Sequence, residues 1–253
     1  MGRANTSATN SQQAWAEWHR LLKRSSGTAD LAPVTARLHR LSFLAQLHKT
    51  ADIQAVCTAF AKGHALLLAA CRWKNGSIGT TPHRPNPTDR ARALQWRLVM
   101  AYGGFETFTA PLLAGIPSAD KVDQLKTLCD DLPLAACPPI AAPLKQSATL
   151  KSFLTESGLA TGGRLTAFLG LRAGDRAGFE RWLGTPGRLD TWPDALRLAK
   201  ALRNATAHGS LSATKARTLG FLPAFEALPD HLSTVVEAAL LKLTDSNSPQ
   251  PKL

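Results

Sequence analysis

Apolar residues recur along almost the whole chain at spacings of three and four positions. This is the spacing of one face of an α-helix. No stretch rich in Val, Ile and Thr alternates apolar and polar residues as a half-buried strand would. The pattern therefore predicts an all-α fold, a helical bundle with a long core helix pair and several short helices.

Capping residues and turn residues divide this pattern into elements. Ser, Thr or Asp before a helix and Pro in its first turn favour a start, and Gly just after the last turn favours an end. Thus the late helix starts at Asp190 or Thr191, carries Pro193 in its first turn and stops at Gly209. The other predicted helices span Ser11–Arg24, Val34–Lys49, Asp52–Lys74, Thr88–Leu113, Ser118–Leu132, Leu144–Ser157, Leu159–Leu171, Asp175–Leu183 and Leu222–Leu243, with a short turn of helix from Ser212.

The breaks in the helical pattern outline the domain organisation. Residues 1–12 and 245–253 are polar and are expected to be flexible tails around one helical domain, 13–244. The stretch Asn75–Pro87 holds two glycines and three prolines, which indicates a surface loop. Four prolines between Pro133 and Pro143 suggest an internal boundary near 133–145.

Composition and charge narrow the class of protein. The formal net charge is +12 and the isoelectric point is about 10.1, so the field of the chain favours polyanions such as RNA or DNA. No apolar run approaches the ~20 residues of a membrane span, and the N-terminal residues lack the apolar core of a secretory signal. We expect a cytoplasmic protein without a membrane partner.

Cysteines and metal-ligand patterns add little chemistry. Cys57, Cys71, Cys129 and Cys137 form no CxxC pair, which fits apolar packing in a reducing compartment better than a disulfide framework or a zinc site. No HExxH motif or carboxylate pair suggests a metal centre. We expect no metal and no cofactor.

One short run brings together side chains with acid–base and phosphate-binding chemistry. Arg203, Asn204 and His208 lie within six residues at the end of the late helix. Asn204 and His208 are four residues apart and share a helix face, with Arg203 at its edge. An imidazole can exchange a proton near neutral pH, and a guanidinium can hold a phosphate and stabilise its transition state. These groups supply what metal-free RNA cleavage needs.

A purely structural explanation of this run stays open. A histidine before a terminal glycine can cap helix carbonyls, and Arg203 can pair with an acidic neighbour. If the helix instead faces nucleic acid, Arg197 and Lys200 extend its basic strip.

A second group of basic residues surrounds the proline-rich loop. Trp73 and Trp96 are interleaved with these residues, and exposed indoles would suit stacking on single-stranded bases. The alternative is that both tryptophans belong to the core and the arginines are merely solvated. The candidate nucleic-acid contacts are Arg72, Lys74, Arg90, Arg92 and Arg97.

The helical chain with Arg203-Asn204-xxx-His208 followed by glycine resembles the HEPN superfamily. The signature of that family is an arginine, four to six residues and a histidine, often with asparagine after the arginine. The position of the motif on a late helix, with Leu222–Leu243 after it, is also similar to the family. The resemblance implies a helical bundle, frequent homodimers and, in active members, a metal-independent endoribonuclease whose composite site joins two motifs.

The resemblance also implies a role for each residue. It makes His208 the acid–base group, Arg203 the phosphate contact and Asn204 the orienting group. A polar residue on an earlier helix often supports the motif, and Glu106 is the candidate, although an exposed glutamate on the outer face is the alternative. Ser210 stands where members silenced by nucleotidyl transfer carry a tyrosine, so regulation of that type is not expected here.

The sequence therefore predicts a toxin-like, homodimeric endoribonuclease that acts on single-stranded RNA through a composite site. A protein antitoxin or regulator is a further partner that fits this hypothesis. The alternative is a non-catalytic basic helical module that binds nucleic acid or a protein, because the fold alone does not decide the activity.

Overall fold

The structure, a computed structural model, describes residues 12–22, 31–73, 86–118, 120–143, 169, 178–179, 181–183 and 187–244. The predicted all-α class is confirmed. Within these residues the helices are α1 (12–22), α2 (Ala32–Leu38), a 3-10 turn (Ser42–Leu44), α3 (Thr50–Arg72), α4 (Pro87–Ala114), α5 (Lys121–Asp131), α6 (Trp192–Ala207), α7 (Ala213–Thr218) and α8 (Leu222–Thr244).

Several predictions concern residues outside those described. These predictions are the two tails except residue 12, the loop over 75–85, Lys74, the helix over 144–157, and the helix over 159–171 except position 169, which is a buried turn residue. Of the helix predicted over 175–183, the described residues 178–179 and 181–183 are helical.

The helix predicted over Val34–Lys49 is wrong in its second half. The α-helix ends at Leu38, and Leu41 has an extended backbone that leads into the 3-10 turn. Tertiary contacts fix this break. Arg37 donates to the carbonyl oxygen of Thr244 at 2.6 Å, and a Cβ at Gly115 would collide with the backbone of Phe43.

A small β element was also missed by the periodicity. β1 (Ile140–Ala141) pairs antiparallel with β2 (Arg188–Leu189), with Ile140 opposite Leu189. Two residues per strand are too few to show alternation, and the partner is far away in sequence.

The chain divides into two compact units. The first comprises the chain up to Leu67, Gly103–Ala135 and the chain from Leu232, and the second comprises Leu68–Tyr102 and Ala136–His231. α3, α4 and α8 each contribute residues to both units.

The core of the first unit is built where α3 meets α4. Gly63 and Gly104 let the two backbones approach closely, since a Cβ at Gly104 would lie 2.5 Å from the backbone nitrogen of Leu67. The rings of Phe60 and Phe108 stack beside this crossing, with centroids 4.3 Å apart. The glycine pair in α4 therefore does not interrupt the helix; Gly104 provides the space for a neighbouring helix.

The second unit has its own aromatic core. Phe179, Trp182 and Phe221 are buried and their ring centroids lie 5.3–5.7 Å apart. The indole N–H of Trp182 donates to the carbonyl oxygen of Ala141 at 3.0 Å, which joins this core to the β element. The unit holds all of α6 and α7 and positions the residues considered below.

α3 differs from one expectation. Among the described helices, only α3 is long and apolar enough to cross a membrane by length and composition. An 18-residue stretch of it has a mean hydropathy of 1.4, and 39% of that stretch is buried. The core helix of a soluble protein can meet the same criterion. The expectation that no segment approaches this length and apolarity is therefore wrong for α3.

Candidate nucleic-acid and catalytic site on α6

The N-terminal end of α6 is fixed by a buried carboxylate. The Thr191 side chain caps the helix, as the sequence predicts, by accepting from the backbone nitrogen of Asp194. The Asp194 carboxylate is 5% exposed and accepts from Nη1 of Arg181 at 2.7 and 2.6 Å, while the Thr191 hydroxyl donates to it at 2.9 Å. Because these bonds compensate its burial, Asp194 holds the start of α6 in place.

The C-terminal end of α6 is a glycine-terminated turn. The backbone N–H of His208 donates to Asn204, and Gly209 follows with φ +74°, a left-handed conformation that glycine adopts without strain. The chain then folds back, and the Leu211 N–H donates to the Ala205 carbonyl at 2.9 Å. This geometry confirms the predicted stop at Gly209 and places His208 at the very end of the helix.

A side chain of α4 holds this turn. Gln95 is 3% exposed, and its amide donates to the carbonyl of Leu211 at 2.8 Å and to the Thr206 hydroxyl at 3.4 Å. α4 therefore contacts the chain on both sides of His208, through a side chain before it and a backbone carbonyl after it.

Arg203, Asn204 and His208, here called the Arg–Asn–His motif, occupy the last turn and the C-cap of α6. Nη1 of Arg203 donates to the Asn204 side-chain oxygen at 2.8 Å. The guanidinium carbon lies 5.5 Å from the ring centroid of Tyr102, a cation–π distance. Both contacts restrict the conformations of the guanidinium and hold it next to the end of the helix.

His208 is exposed, whereas Arg203 and Asn204 are half-buried. Within the described part of the chain, its imidazole makes no hydrogen bond and no ion pair. An exposed imidazole can exchange protons with a bound molecule and with solvent. Acid–base catalysis requires a ring that the substrate can reach, and the ring of His208 is accessible in the single chain.

The other two candidates on α6 differ in accessibility. Lys200 is half-buried and takes part in interactions with its surroundings. Arg197 is only 15% exposed and lies 3.8 Å from the Asp194 carboxylate. Arg197 thus contributes to the buried cluster at the start of the helix and offers little surface to a ligand.

The basic candidates on α3 and α4 fall into two groups. Arg72, Arg90 and Arg92 are exposed, and the last two pair with Glu226 at 3.6 Å and Asp89 at 3.1 Å. Exposed ion pairs of this kind contribute little to stability.

Arg97 belongs to the second group. It is 17% exposed, its Nε donates to the Ala70 carbonyl at 3.3 Å, and its Nη2 donates to Asp230 at 3.1 Å. These contacts give Arg97 a structural role that its position in the sequence did not reveal.

The two tryptophans and Glu106 differ in exposure. Among the described residues, Trp96 is one of three exposed large apolar side chains, at 44%, whereas Trp73 is half-buried. Glu106 is exposed on the part of α4 that belongs to the first unit.

The described residues offer no cluster of three His, Cys, Asp or Glu side chains suited to a metal ion. The four cysteines are free thiols. Burial, with the neighbouring Asp190 and Asp194 carboxylates, raises the pKa of Cys137 to about 12, and burial raises the pKa of Cys57 to about 11. These two thiols are consequently poor nucleophiles at neutral pH.

Sequence reasoning missed Gln95 and Tyr102 as neighbours of the motif. Both lie on the apolar face of α4, seven residues apart and in register with Leu98. A polar amide on a buried helix face is itself a signal, because such a group requires a hydrogen-bond partner. The identity of that partner was not readable from the sequence, since it lies more than 100 residues away.

Comparison of the chain with protein-family models, with curated proteins and with solved structures gave no significant match.

Proposed function

We propose that this protein is a HEPN-like, metal-independent endoribonuclease that cleaves single-stranded RNA in the cytoplasm. The observation that carries the proposal is the arrangement at the end of α6. An exposed imidazole, His208, follows a guanidinium that Asn204 and Tyr102 hold in place. The net charge of +12 supports a polyanionic substrate.

The motif supplies each element of the cleavage step. His208 accepts the proton of a ribose 2′-hydroxyl, and the 2′-oxygen attacks the adjacent phosphorus. The Arg203 guanidinium compensates the added negative charge of the pentacoordinate transition state. The bond to the 5′-oxygen breaks, that oxygen takes a proton, and the products are a 2′,3′-cyclic phosphate and a 5′-hydroxyl.

A homodimer completes the site in this proposal. One neutral imidazole removes the proton of the 2′-hydroxyl, while a second imidazole, which is already protonated, donates a proton to the leaving 5′-oxygen. Each chain carries one copy of the motif, so two chains supply the two imidazoles. A twofold dimer brings the same surface of both chains together, so two copies of His208 can face one phosphate. A protein antitoxin that covers this surface would silence the enzyme.

The test is cleavage of a labelled single-stranded RNA by the purified protein in the presence of EDTA. We compare the wild type with His208→Ala and Arg203→Ala, and use His48→Ala as the matched control because His48 is also exposed. Loss of general acid–base catalysis typically costs 10²–10⁴-fold in rate. We expect a loss of this size for His208→Ala and an unchanged rate for His48→Ala, with cyclic phosphate ends on the product.

Two further measurements complete the test. The specific activity is expected to fall on dilution as dimers dissociate, and mass measurement in solution should show a dimer at the concentrations that cleave. Equal cleavage by the wild type and His208→Ala would remove His208 from the mechanism. Salt-dependent RNA binding without cleavage would favour the non-catalytic binding module instead.

A further inference from the structure

His231 is a buried histidine of α8 whose two ring nitrogens both face carbonyl oxygens. Nδ1 lies 2.9 Å from the carbonyl oxygen of Ala227, and Nε2 lies 2.9 Å from the carbonyl oxygen of Pro138. The residue is only 6% exposed. A carbonyl oxygen can only accept a hydrogen bond, so each ring nitrogen has to be the donor of its own contact.

The protonation state of the ring follows from these two contacts. A neutral imidazole has one N–H donor and one acceptor nitrogen, whereas an imidazolium has two N–H donors. In a neutral ring at this position, one nitrogen lone pair would face a carbonyl oxygen at 2.9 Å with no hydrogen between them. The geometry at both nitrogens is therefore that of the charged ring.

The two contacts join different parts of the second unit. Ala227 lies one turn before His231 on α8, so the contact at Nδ1 moves with the helix. Pro138 is 93 residues away and precedes β1, so the contact at Nε2 ties the β element to α8. The ring also lies against Trp192, the first residue of α6, with ring centroids 5.7 Å apart. His231 thus connects α8 with β1 and with the start of α6.

Several charged and titratable groups lie on the elements around the ring. Asp230 is adjacent to His231 in sequence and pairs with Arg97 at 3.1 Å. Burial raises the pKa of the Asp230 carboxyl, and the charges of Arg97 and His231 oppose this rise. The interaction is mutual, so an ionised Asp230 stabilises a protonated ring at His231. Among the described residues, the groups on these elements are Asp230 and Glu226 on α8, Arg97 on α4, Cys71 in α3, Asp190 and Asp194 before and in α6, and Cys137 beside Pro138.

We propose that His231 is a pH-sensitive switch, in which the protonated ring fixes the segment before β1 to α8 and loss of a proton releases it. Imidazole is the side chain that ordinarily changes charge between pH 5 and 8. Whichever nitrogen keeps its hydrogen in the neutral ring, the other faces a carbonyl oxygen, and the ring or the segment at Pro138 has to move. This inference does not rest on the proposed ribonuclease activity.

The sign of the pH dependence follows from the number of protons bound. The folded chain needs a second proton on this ring to make both contacts, whereas the unfolded chain does not. Folding therefore favours the protonated ring, and the stability that the switch contributes is present at low pH and is lost as the pH rises.

The first test is urea unfolding of the full chain and of His231→Gln between pH 5.5 and 8.5. A glutamine amide can donate a hydrogen bond but does not change its charge in this range. All other titratable groups are common to both chains, so the difference between the chains at each pH isolates the imidazole. His48→Gln is the matched control, because His48 is exposed.

A hydrogen bond from a charged group corresponds to roughly a 10- to 150-fold change in an equilibrium constant. We expect the ratio of the unfolding constant of His231→Gln to that of the wild type to fall by a factor in this range between pH 5.5 and 8.5. The ratio for His48→Gln should stay constant. A constant ratio for His231→Gln overturns the switch, as does a ratio that rises with pH, because a rise means that folding releases the proton.

The wild-type chain provides a second test, which does not require His231→Gln to fold. NMR spectra that correlate ring nitrogens with their hydrogens show whether one or both nitrogens of His231 are protonated. We expect two ring N–H groups at pH 5.5 and one at pH 8.5. The amide hydrogen of Ala142, which donates to Gly187 at 2.7 Å beside β1, should then exchange faster than the intrinsic effect of pH explains. One ring N–H group throughout overturns the assigned protonation. Two groups throughout, or unchanged protection of Ala142 after the second is lost, overturn the switch.

Discussion

The close approach of α3 and α4 gives a stability prediction with a built-in control. Gly104→Ala places a Cβ 2.5 Å from the backbone nitrogen of Leu67 and 2.7 Å from the carbonyl oxygen of Gly63. Gly103→Ala, one position earlier on the same helix, meets only the end of the Leu66 side chain, at 3.5 Å. The two variants differ in the space available and not in chemistry.

The magnitude follows from the spacing. Ordinary contact begins near 3.5 Å, so the helices must separate by about 1 Å at Gly104, which weakens the dispersion contacts beside it by a quarter to a half. Because the clash involves backbone atoms, no rotamer change relieves it. Overpacking of this kind costs about 3 kcal/mol at its upper range, and alanine returns about 1 kcal/mol of helix propensity. We therefore expect Gly104→Ala to lower the free energy of unfolding by about 2 kcal/mol.

The neighbouring variant should change stability in the opposite direction. Gly103→Ala keeps the propensity gain without the clash and should raise the free energy of unfolding by up to about 1 kcal/mol. In a chain of this length each kcal/mol moves Tm by about 2–4 °C, so Gly104→Ala should melt about 4–8 °C below the wild type. Urea and thermal unfolding followed by circular dichroism measure both. Gly104→Ala as stable as the wild type, or Gly103→Ala equally destabilised, would refute the argument from helix spacing.

Two further predictions concern the second unit and the thiols. Asp194→Ala should lower the free energy of unfolding by about 2–3 kcal/mol, because it removes a buried, hydrogen-bonded carboxylate and leaves Arg197, which is only 15% exposed, without it. Asp190→Ala, at a 51% exposed carboxylate, should cost less than about 1 kcal/mol in the same urea titration. An equal effect of both would contradict the role given to burial. Cys137 and Cys57, whose pKa values are raised to about 12 and about 11, should resist alkylation at pH 8 in the folded protein and react once it is unfolded in urea. Rapid native labelling of Cys137, detected by mass spectrometry, would show that its burial is not maintained in solution.

Local signals in the sequence were sufficient for much of the fold. The spacing of apolar residues predicted the helical class and placed α3, α4, α5 and α8 to within about three residues, because the helical period is a property of neighbouring residues. The cap at Thr191 and the stop at Gly209 were likewise read from short-range chemistry. The same signals placed His208 at the end of the late helix, and it is the C-cap of α6.

Other features depended on partners that are distant in sequence. The break after Leu38 follows from contacts with the end of α8, the strands at Ile140 and Leu189 exist only as a pair, and Tyr102 and Gln95 reach the motif through packing. The sequence did not show which arginines are accessible. Arg92 is exposed, whereas Arg97 donates hydrogen bonds to the Ala70 carbonyl and to Asp230.

The physical reason is the range of the interactions. Helix propensity, capping and hydrophobic periodicity act within a few residues, so the printed sequence determined where helices form and where Arg203, Asn204 and His208 stand on one of them. Burial, ion pairing and the contacts of α4 with α6 join residues about 100 positions apart. Only the tertiary structure decided which basic side chains remain at the surface and which residues of α4 contact the end of α6.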